Sequence, residues 1–421
     1  MGLLAWAIAG FTEEENTVEY KFQYYEDNNG VKVWSNDAGG GMKIGDHFKI
    51  HADYLADAIT AASRSDHRGA PASTLAKVDA VTSATSQGVD GVTHATTDET
   101  RHQFGGSVSF LNDFIKNFRA DKNNDDPTTL TAIGSYSGEN DYTSKTIGLT
   151  LAQDLFQRNT TFSFTFGKSF DQWSPVSWAI PTPANLGWPG WNFLGDGKRE
   201  TSRYSLGLTQ GITTTTIASV NGEYVYDCGY LAKPYNVMLI DNTYYHENYP
   251  AQHKSVALTG LVNQYILLDN PDVNGIALHG EYRYYKDSWS ISSHTAMAEV
   301  YVRLWDNFIV RPSYRYYWQS APFFYQDVYT TVPEYLTTDL KFRAGNSQTL
   351  GLKLSWEVVD FVKPMDDSHF PLFFQSIDIA GNYYMRQSPD NQNIVNSHYG
   401  YWNAADGYHM FWIQTGIKFA F

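Results

Sequence analysis

The chain ends in "FWIQTGIKFAF" (411–421), a stretch in which apolar residues alternate with polar or small ones. One face of this stretch carries Phe411, Ile413, Ile417, Phe419 and Phe421. A repeat of two residues with one apolar face is typical of a β-strand whose two sides meet different surroundings. In water, an edge strand of this kind would leave its apolar row open to aggregation. The pattern therefore favours a strand whose apolar face contacts lipid.

The same alternation recurs along the chain from residue 128 onward. It is seen in "TFSFTFGKSF" (161–170), "GIALHGEYRYY" (275–285), "SYRYYWQ" (313–319), "TDLKFR" (338–343) and "GLKLSWE" (351–357). Each stretch would place aromatic or aliphatic residues on one face of a strand. Helical periodicity is nearly absent, so the sequence predicts an all-β protein.

The connections between the predicted strands fall into two length classes. Short ones include "TQGITT" (209–214), "LWDNF" (304–308) and "AGNSQ" (344–348), and long ones cover about 171–199, 228–251, 319–335 and 387–407. Short turns at one end and long loops at the other are typical of outer-membrane barrels. A terminal aromatic residue on an alternating strand also resembles the recognition signal of bacterial outer-membrane barrels.

We therefore predict a transmembrane antiparallel β-barrel of about 16 strands (roughly 14 to 18), with short periplasmic turns and long extracellular loops. Such a barrel would lie in a Gram-negative outer membrane, in contact with lipid and lipopolysaccharide. The strand boundaries predicted after residue 345 conflict with a strict up-and-down order. Residues 1–9 are expected to be a signal-peptide remnant or a false start, since "AIA" (7–9) resembles a signal-peptidase site. Residues 10–421 would form a single barrel.

Composition excludes several classes of protein. The 421 residues contain no apolar run long enough for a helical membrane span, and the net charge of −15 argues against a nucleic-acid partner. Cys228 is the single cysteine of the chain, so neither an intramolecular disulfide nor attached c-type haem is expected. We expect it to be a chance thiol in a long loop. No metalloprotease, nucleophile-elbow or phosphate-loop motif occurs, and no metal site is predicted. This favours an electron-transfer or transport protein over an enzyme.

The faces opposite the apolar ones would line the barrel lumen. The alternation turns a set of cations inward: Arg203, Arg283, Arg303, Arg311, Arg315, Lys341, Arg343 and Lys353. It turns four acids the same way: Glu281, Glu299, Asp339 and Glu357. The two sets could form ion-pair ladders that stiffen the wall, or the cations could attract anionic groups such as phosphates. The two interpretations are compatible.

One segment, 57–98, contains a phrase repeated three times: "DAITAAS" (57–63), "DAVTSAT" (79–85) and "DGVTHAT" (90–96). The segment is rich in Ser, Thr, Ala, Gly and Asp, and is too long for a hairpin turn. We predict that it is a plug or loop inserted into the barrel. Local turns, in which Asp and Thr side chains bond nearby backbone, would explain the Asp and the Thr. They do not explain the repetition or the constant Ala followed by a hydroxyl residue.

The repeated phrase resembles the acceptor motif of proteins modified by periplasmic flavin transferases of the ApbE type. Those enzymes join FMN through a phosphoester to the last hydroxyl of the motif. The resemblance implies covalent FMN at Ser63, Thr85 and Thr96, with Asp57, Asp79 and Asp90 as recognition residues. The phrase ending at Thr85 matches best. His94 and Ala61 occupy the position where the motif has a small Gly or Ser.

The chain as a whole resembles an uncharacterised family of Gram-negative outer-membrane barrels, domain of unknown function 3570. The resemblance rests on the repeats and on "YYEDNNGVKV" (24–33), "YRYYWQSAPFFY" (314–325) and "TTDLKFRAGNSQTLGLKL" (337–354). It implies a periplasmic flavin transferase and a periplasmic or surface redox protein as partners. The leading hypothesis is an FMN-bearing barrel that conducts electrons across the outer membrane. The alternatives are a passive porin or substrate channel, and a scaffold barrel that holds a partner protein.

Overall fold

Sixteen strands formed by the described residues close into an antiparallel barrel, in which the first strand pairs with the last. The computed structural model describes residues 16–27, 32–59, 77–78, 85–86, 99–112, 126–139, 142–174, 197–232, 237–240, 243–268, 270, 272–305, 307–358, 373–386 and 408–421. This architecture confirms the predicted all-β transmembrane barrel and its strand number.

The strands are numbered in chain order. Their bounds are β1 Thr17–Asp27, β2 Lys32–Ile44, β3 Phe48–Ile59, β4 Lys77–Val78, β5 Thr85–Ser86, β6 Glu99–Asn112, β7 Thr128–Gly138, β8 Tyr142–Leu155, β9 Thr160–Trp173, β10 Gly197–Thr213, β11 Thr216–Gly229, β12 Val237–Ile240, β13 Thr243–His246, β14 Gln252–Ile266, β15 Val273–Asp287, β16 Ser292–Leu304, β17 Phe308–Gln319, β18 Gly345–Glu357, β19 Phe373–Arg386 and β20 Tyr408–Ala420. The pairs β4–β5 and β12–β13 are two-stranded ladders separate from the barrel.

The C-terminal stretch forms the strand that its alternation predicted, and its pairing with β1 closes the barrel. Thr17 lies opposite Ala420, and the register continues to Asp27 opposite Met410. The backbone N–H of Phe421 donates to the carbonyl of Asn16. Both described chain ends therefore lie at one end of the barrel, the periplasmic end in outer-membrane barrels.

The two ends of the barrel differ in their connections. At the periplasmic end the connections 45–47, 156–159, 214–215 and 305–307 are short. The first of these turns begins at Gly45, whose φ of 61° lies in the left-handed region that glycine adopts without strain. The extracellular end carries the long connections 60–98, 174–196, 230–251, 320–344 and 387–407, together with three short ones, 28–31, 139–141 and 288–291. Two longer connections, 113–127 and 358–372, lie at the periplasmic end, so the separation of lengths is not complete.

One predicted strand is wrong. "TDLKFR" (338–343) lies in the extracellular connection 320–344, where Leu340–Phe342 forms a short 3-10 turn. Thr337 just before it is fully buried in that loop. "AGNSQ" is correspondingly not a turn, because β18 begins at Gly345. The correction restores the up-and-down order. It also means that the loop, not strand alternation, sets the positions of Asp339, Lys341 and Arg343.

The outer surface of the barrel is apolar. Large hydrophobic side chains alternate along the strands with high exposed fractions, including Ile147 at 58%, Leu206 at 66% and Leu258 at 55%. A closed wall with such an exterior satisfies its backbone hydrogen bonds internally and presents hydrocarbon to lipid. The protein is therefore an integral barrel of the Gram-negative outer membrane. Among the described residues, no helix is both long and apolar enough to cross a bilayer.

A recurring contact marks the extracellular boundary of the lipid-facing surface. In five places an outward tyrosine on a rising strand shares a hydrogen bond with a polar side chain on the next strand. The pairs are Tyr20–Asn36 (2.6 Å), Tyr54–His102 (2.8 Å), Tyr282–His294 (2.6 Å), Tyr314–Gln348 (3.1 Å) and Tyr383–His409 (3.1 Å). In every pair, the polar partner lies two residues closer to the extracellular end than the residue that pairs with the tyrosine across the ladder. Tyrosines at a water–lipid boundary place the ring in the apolar region and the hydroxyl in the polar one.

Candidate functional site in the barrel lumen

Ion pairs occupy much of the lumen wall. Arg203 and Arg283 share Glu223, at 3.4 and 3.6 Å between nitrogen and oxygen. Further pairs are Arg303–Glu357 at 2.9 Å, Arg311–Glu299 at 4.0 Å and Lys353–Asp378 at 3.2 Å. The predicted inward cations on strands are thus mostly matched by acids on the adjacent strand or on the next strand but one, and the ladder interpretation fits the described residues.

Three arginines also lie against tyrosine rings. The guanidinium carbons of Arg283 and Arg315 lie 5.6 and 5.4 Å from the ring centres of Tyr285 and Tyr317, each two residues further along its own strand. Arg311 lies 5.2 Å from the ring centre of Tyr301 on the neighbouring strand and donates a hydrogen bond to its hydroxyl at 3.0 Å. These contacts, here called the Arg–Tyr pairs, give the wall from β15 to β17 planar surfaces that carry positive charge.

A cavity of about 330 Å³ lies at the periplasmic end of the lumen. Its charged lining comprises Lys21, Arg311, Lys353 and Lys418 together with Glu19, Glu357 and Asp378. Lys21 bonds Glu19 at 2.8 Å, and Lys353 pairs with Asp378. The charges are nearly balanced, so this cavity is a weaker site for an anion than the number of its cations indicates.

A series of aspartates lines the extracellular rim of the lumen. Asp27, Asp57, Asp171, Asp227 and Asp287 each lie within two residues of the end of a rising strand. All are buried except Asp227, which is half-buried. Each carboxylate accepts hydrogen bonds from neighbouring side chains, from Tyr408 for Asp27, Arg101 for Asp57, Arg199 for Asp171 and His253 for Asp227 and Asp287. These aspartates fasten the ends of strands to one another.

His253 bridges two of these carboxylates. Its Nδ1 lies 3.1 Å from Asp227 Oδ2 and its Nε2 lies 2.9 Å from Asp287 Oδ2. Asp287 also accepts the backbone N–H groups of Trp289 and Ile291, at 2.9 and 2.8 Å. One buried cluster thus joins β11, β14 and β15 to the loop that follows β15.

Above this cluster, parts of three connections pack into a covered structure that we call the cap, formed by the described residues of 230–251, 288–291 and 320–344. Its core contains Ala232, Tyr249, Trp289, Ile291, Phe324 and Phe342. The buried Glu247 accepts hydrogen bonds from the hydroxyls of Tyr249 at 2.5 Å and Thr337 at 2.6 Å. Burial, together with the adjacent Glu247 carboxylate, raises the pKa of Tyr249 well above its usual value. The cap is therefore an ordered part of the extracellular surface.

Two of the predicted site residues fall within the described parts of the chain. Asp57 lies in β3, and its carboxylate contacts the guanidinium of Arg101 on β6. Thr85 begins β5, and its backbone pairs with Val78. The other four, Ser63, Asp79, Asp90 and Thr96, lie outside the described residues. β3 ends at Ile59 and β6 begins at Glu99, so residues 60–98 form the connection between these two wall strands. This connection contains the hydroxyl residues that end the three phrases.

Sequence reasoning missed two features of the wall. The Arg–Tyr pairs have a signal in the sequence, since "RYY" occurs at 283–285 and again at 315–317. In both copies the arginine and the second tyrosine face the lumen, while the first tyrosine faces lipid. Cys228 was expected in a long loop, but it lies in β11 opposite Glu200. Within the described residues, no group of three or more His, Cys, Asp or Glu side chains could hold a metal ion.

Solved structures with a related fold are outer-membrane proteins. A bacterial polysaccharide outer membrane secretin is 8% identical with a TM-score of 0.46, covering 98% of this chain and 100% of its own. The siderophore receptor PirA from Acinetobacter baumannii is 10% identical with a TM-score of 0.41, and the match covers 90% of this chain and 54% of the receptor. The CymD monoaromatic hydrocarbon channel is 10% identical with a TM-score of 0.38, and the match covers 97% of this chain and 89% of the channel. Likeness at this level carries no information on function.

A search of curated proteins finds no significant match to the sequence. A family model, described as "Protein of unknown function (DUF3570)", matches residues 7–367, which is most of the chain. The chain is therefore a member of the DUF3570 family.

Proposed function

We propose that this barrel carries covalently attached FMN on the connection 60–98 and conducts electrons across the outer membrane. The observation that carries the proposal is the threefold phrase Asp-x-[Ile/Val]-Thr-x-Ala-[Ser/Thr], whose three terminal hydroxyls, Ser63, Thr85 and Thr96, all belong to this one connection. A periplasmic flavin transferase would supply the modification. Bound FMN would supply the redox chemistry, and the barrel would supply position and insulation.

The ends of β3 and β6 limit where each acceptor can lie. Ser63 is four residues beyond Ile59 and Thr96 is three residues before Glu99, which restricts them to within ~13 and ~10 Å of the extracellular rim. Thr85 is fourteen residues before Glu99, a reach of ~46 Å, which exceeds the ~30 Å hydrocarbon core. Two attachment points near the rim and one able to reach the periplasmic half would suit transfer across the membrane.

The lumen offers surfaces that fit such a group. A barrel of this strand number encloses an aqueous channel wide enough for an inserted segment. The Arg–Tyr pairs at Tyr285 and Tyr317 combine a flat ring with a guanidinium. A planar isoalloxazine could stack on the ring while its phosphodiester meets the cation.

The three phrases are not equivalent in this fold. Asp57 of the first phrase is buried in the wall with Arg101, so a transferase could read it only before the barrel closes. Asp79 and Asp90 lie away from the wall strands in sequence. We therefore expect modification to be most complete at Thr85 and least complete at Ser63.

The test is flavin fluorescence in a denaturing gel together with intact mass, on protein from its native host. Thr85→Ala should remove one FMN-sized increment, and Thr96→Ala a second. The neighbouring hydroxyls give matched controls, because Ser86→Ala and Thr97→Ala should leave every increment in place. Wild-type protein without any increment would refute the proposal.

The siting of flavin in the lumen has a separate test. Stacking on Tyr317 quenches flavin fluorescence, so Tyr317→Leu should raise the fluorescence of the folded, flavin-bearing barrel roughly twofold, without changing its mass increments. Tyr316 of the same "RYY" faces lipid, so Tyr316→Leu is the matched control and should leave the fluorescence unchanged. If Tyr317→Leu, Tyr316→Leu and the wild type all fluoresce equally, contact between flavin and Tyr317 is excluded.

A passive channel is the second candidate, because the wide barrel and the ion-paired wall are also features of porins. Planar-bilayer conductance separates the two. A large steady conductance in flavin-free protein, together with no reduction of an electron acceptor enclosed in vesicles carrying the flavin-bearing barrel, would favour the channel.

A further inference from the structure

We propose that a lipid-facing cluster of lysines near the extracellular ends of β8, β9, β10, β14 and β15 binds the phosphate groups of the outer-leaflet glycolipid, lipopolysaccharide. The cluster, here called the lysine sector, consists of Lys145, Lys168, Lys198, Lys254 and Lys286. The inference does not depend on bound flavin.

Strand alternation places these lysines on the lipid side. Lys145 shares its face of β8 with the exposed Ile147, and Lys254 shares its face of β14 with the exposed Val256. Lys286 follows the exposed Tyr284 on β15. The lumen-facing residues between them, such as His253, are buried.

Each lysine lies close to the extracellular end of its strand. Lys198 and Lys286 are one residue from a strand end, Lys254 is two, Lys145 is three and Lys168 is five. Strands that cross the membrane use about 9–11 residues for the hydrocarbon core, whereas these have 14 to 17, so the lysines lie at the level of the headgroups. Long lysine stems allow the ammonium groups to reach upward from an apolar surface.

The rest of the described lipid-facing surface is nearly free of cations. On the other barrel strands, the described outward rows contain one lysine and no arginine. That lysine, Lys32, already pairs with Glu26 at 3.4 Å. The described outward rows at the periplasmic end carry no lysine or arginine. Apart from Lys32, the lipid-facing cations of the described strands are therefore confined to one sector, and all of them lie at the extracellular level.

Within the lysine sector, acid is scarce. Lys168 pairs with Glu200 at 2.7 Å and bonds Ser202 at 3.2 Å. The other four lysines make no ion pair with any described residue. Lys254 lies 5.9 Å from the ring centre of Tyr226, which holds it against the aromatic surface. Four of the five ammonium groups of the sector thus have no acid partner among the described residues.

The chemistry of the leaflet identifies the ligand. Ammonium groups at a membrane surface attract anionic headgroups, and lysine binds phosphate as a point charge. A surface that attracted anionic phospholipids in general would carry cations at both leaflets. These lysines are found at the extracellular level alone among the described residues, where the phosphorylated glycolipid of the outer leaflet resides.

The test compares the full-length barrel with the triple variant Lys145→Gln/Lys254→Gln/Lys286→Gln in nanodiscs of phosphatidylethanolamine, titrated with bisphosphorylated lipid A. We expect the triple variant to bind about tenfold or more weakly than the wild type. Dephosphorylated lipid A should bind both proteins equally weakly. The control, Lys32→Gln, removes a lipid-facing lysine that is already paired and should bind like the wild type.

Barrel closure is checked independently by heat-modifiable mobility on gels. If the triple variant does not assemble, the single variants Lys145→Gln and Lys254→Gln replace it, each with an expected loss of about threefold. Equal affinity of wild type and lysine variants for bisphosphorylated lipid A would overturn the proposal. The proposal would also be overturned if the wild type bound dephosphorylated lipid A as tightly as bisphosphorylated lipid A.

Discussion

On the same strands, positively charged side chains that face the lumen lie in ion pairs, whereas most of those that face lipid have no acid partner among the described residues. On β10, the lumen-facing Arg203 pairs with Glu223, whereas the lipid-facing Lys198 has no ion-pair partner among the described residues. On β15, Arg283 turns inward to the same Glu223, whereas Lys286 turns outward without a described partner. Inside the barrel, strand register brings an acid to most of the described cations. Outside, a partner has to come from the membrane.

This difference bears on how lumen charge is interpreted. A row of inward arginines does not by itself make an anion site, since ion pairs lower the field that a ligand meets. What distinguishes the inner wall is the Arg–Tyr pairing of Arg283, Arg311 and Arg315, where the cation also lies against a ring. The lysine sector has the opposite character, because most of its charge is uncompensated. Three substitutions break or sharpen the comparison.

The largest expected effect comes from Asp287→Ala on the inner face. The change removes a buried partner of His253 and leaves the backbone N–H groups of Trp289 and Ile291 without their acceptor. We expect the free energy of unfolding to fall by about 3–5 kcal/mol, as for other buried pairs that lose one member. Urea unfolding of the barrel in lipid vesicles measures it.

Asp272→Ala is the matched control for that experiment. Asp272 is an exposed acid in the periplasmic turn before the same strand, and its loss should change the free energy of unfolding by less than about 0.5 kcal/mol. Similar values for the two variants would show that the His253 cluster does not fasten the extracellular rim.

A smaller effect on stability, but a clear effect on ion selectivity, is expected from Glu223→Gln. Arg203 and Arg283 would both lose their acid, and the lumen would gain positive charge. Because these side chains are about one-third exposed, the free energy of unfolding should fall by only about 0.5 kcal/mol. The reversal potential across a planar bilayer should shift toward anion selectivity. Glu200→Gln makes the same chemical change on the outer face and should leave the reversal potential unchanged.

The sequence predicted the barrel well because alternation is a local property of each strand. The apolar row of 411–421, the inward arginines of the barrel strands and the strand number could all be read from it, whereas Arg343 could not, because it lies in a loop. "TDLKFR" also alternates, yet it lies in the cap, because Thr337 and Phe342 are buried by loops distant in sequence. Alternation cannot report such contacts.

The candidate sites were predictable to different degrees. The lysines of the outer sector are too far apart in sequence to form a motif, and β-strand register alone brings them to one sector and one level. The rim position of Asp57 was not visible in the sequence, since "DAITAAS" begins inside β3. Its Asp resembles Asp171 both in its place near the end of a rising strand and in its arginine partner. The assignment of Ser63, Thr85 and Thr96 to flavin stays a prediction.

The smallest expected effect tests the outer face alone. Among the described residues, Glu200 is the acid that pairs within the lysine sector. Glu200→Gln removes it and releases Lys168, whose Nζ lies 2.7 Å from that carboxylate. If uncompensated charge is what binds the glycolipid phosphates, this variant should bind bisphosphorylated lipid A about two- to fivefold more tightly than the wild type. The gain should shrink as salt rises, because screening weakens exposed charges. Glu26→Gln, which releases Lys32 on the opposite side of the barrel, provides the comparison and should produce little gain, because no second lysine lies on its outward row. Equal gains from the two variants would mean that single lysines bind the lipid independently, and that clustering in the sector adds nothing.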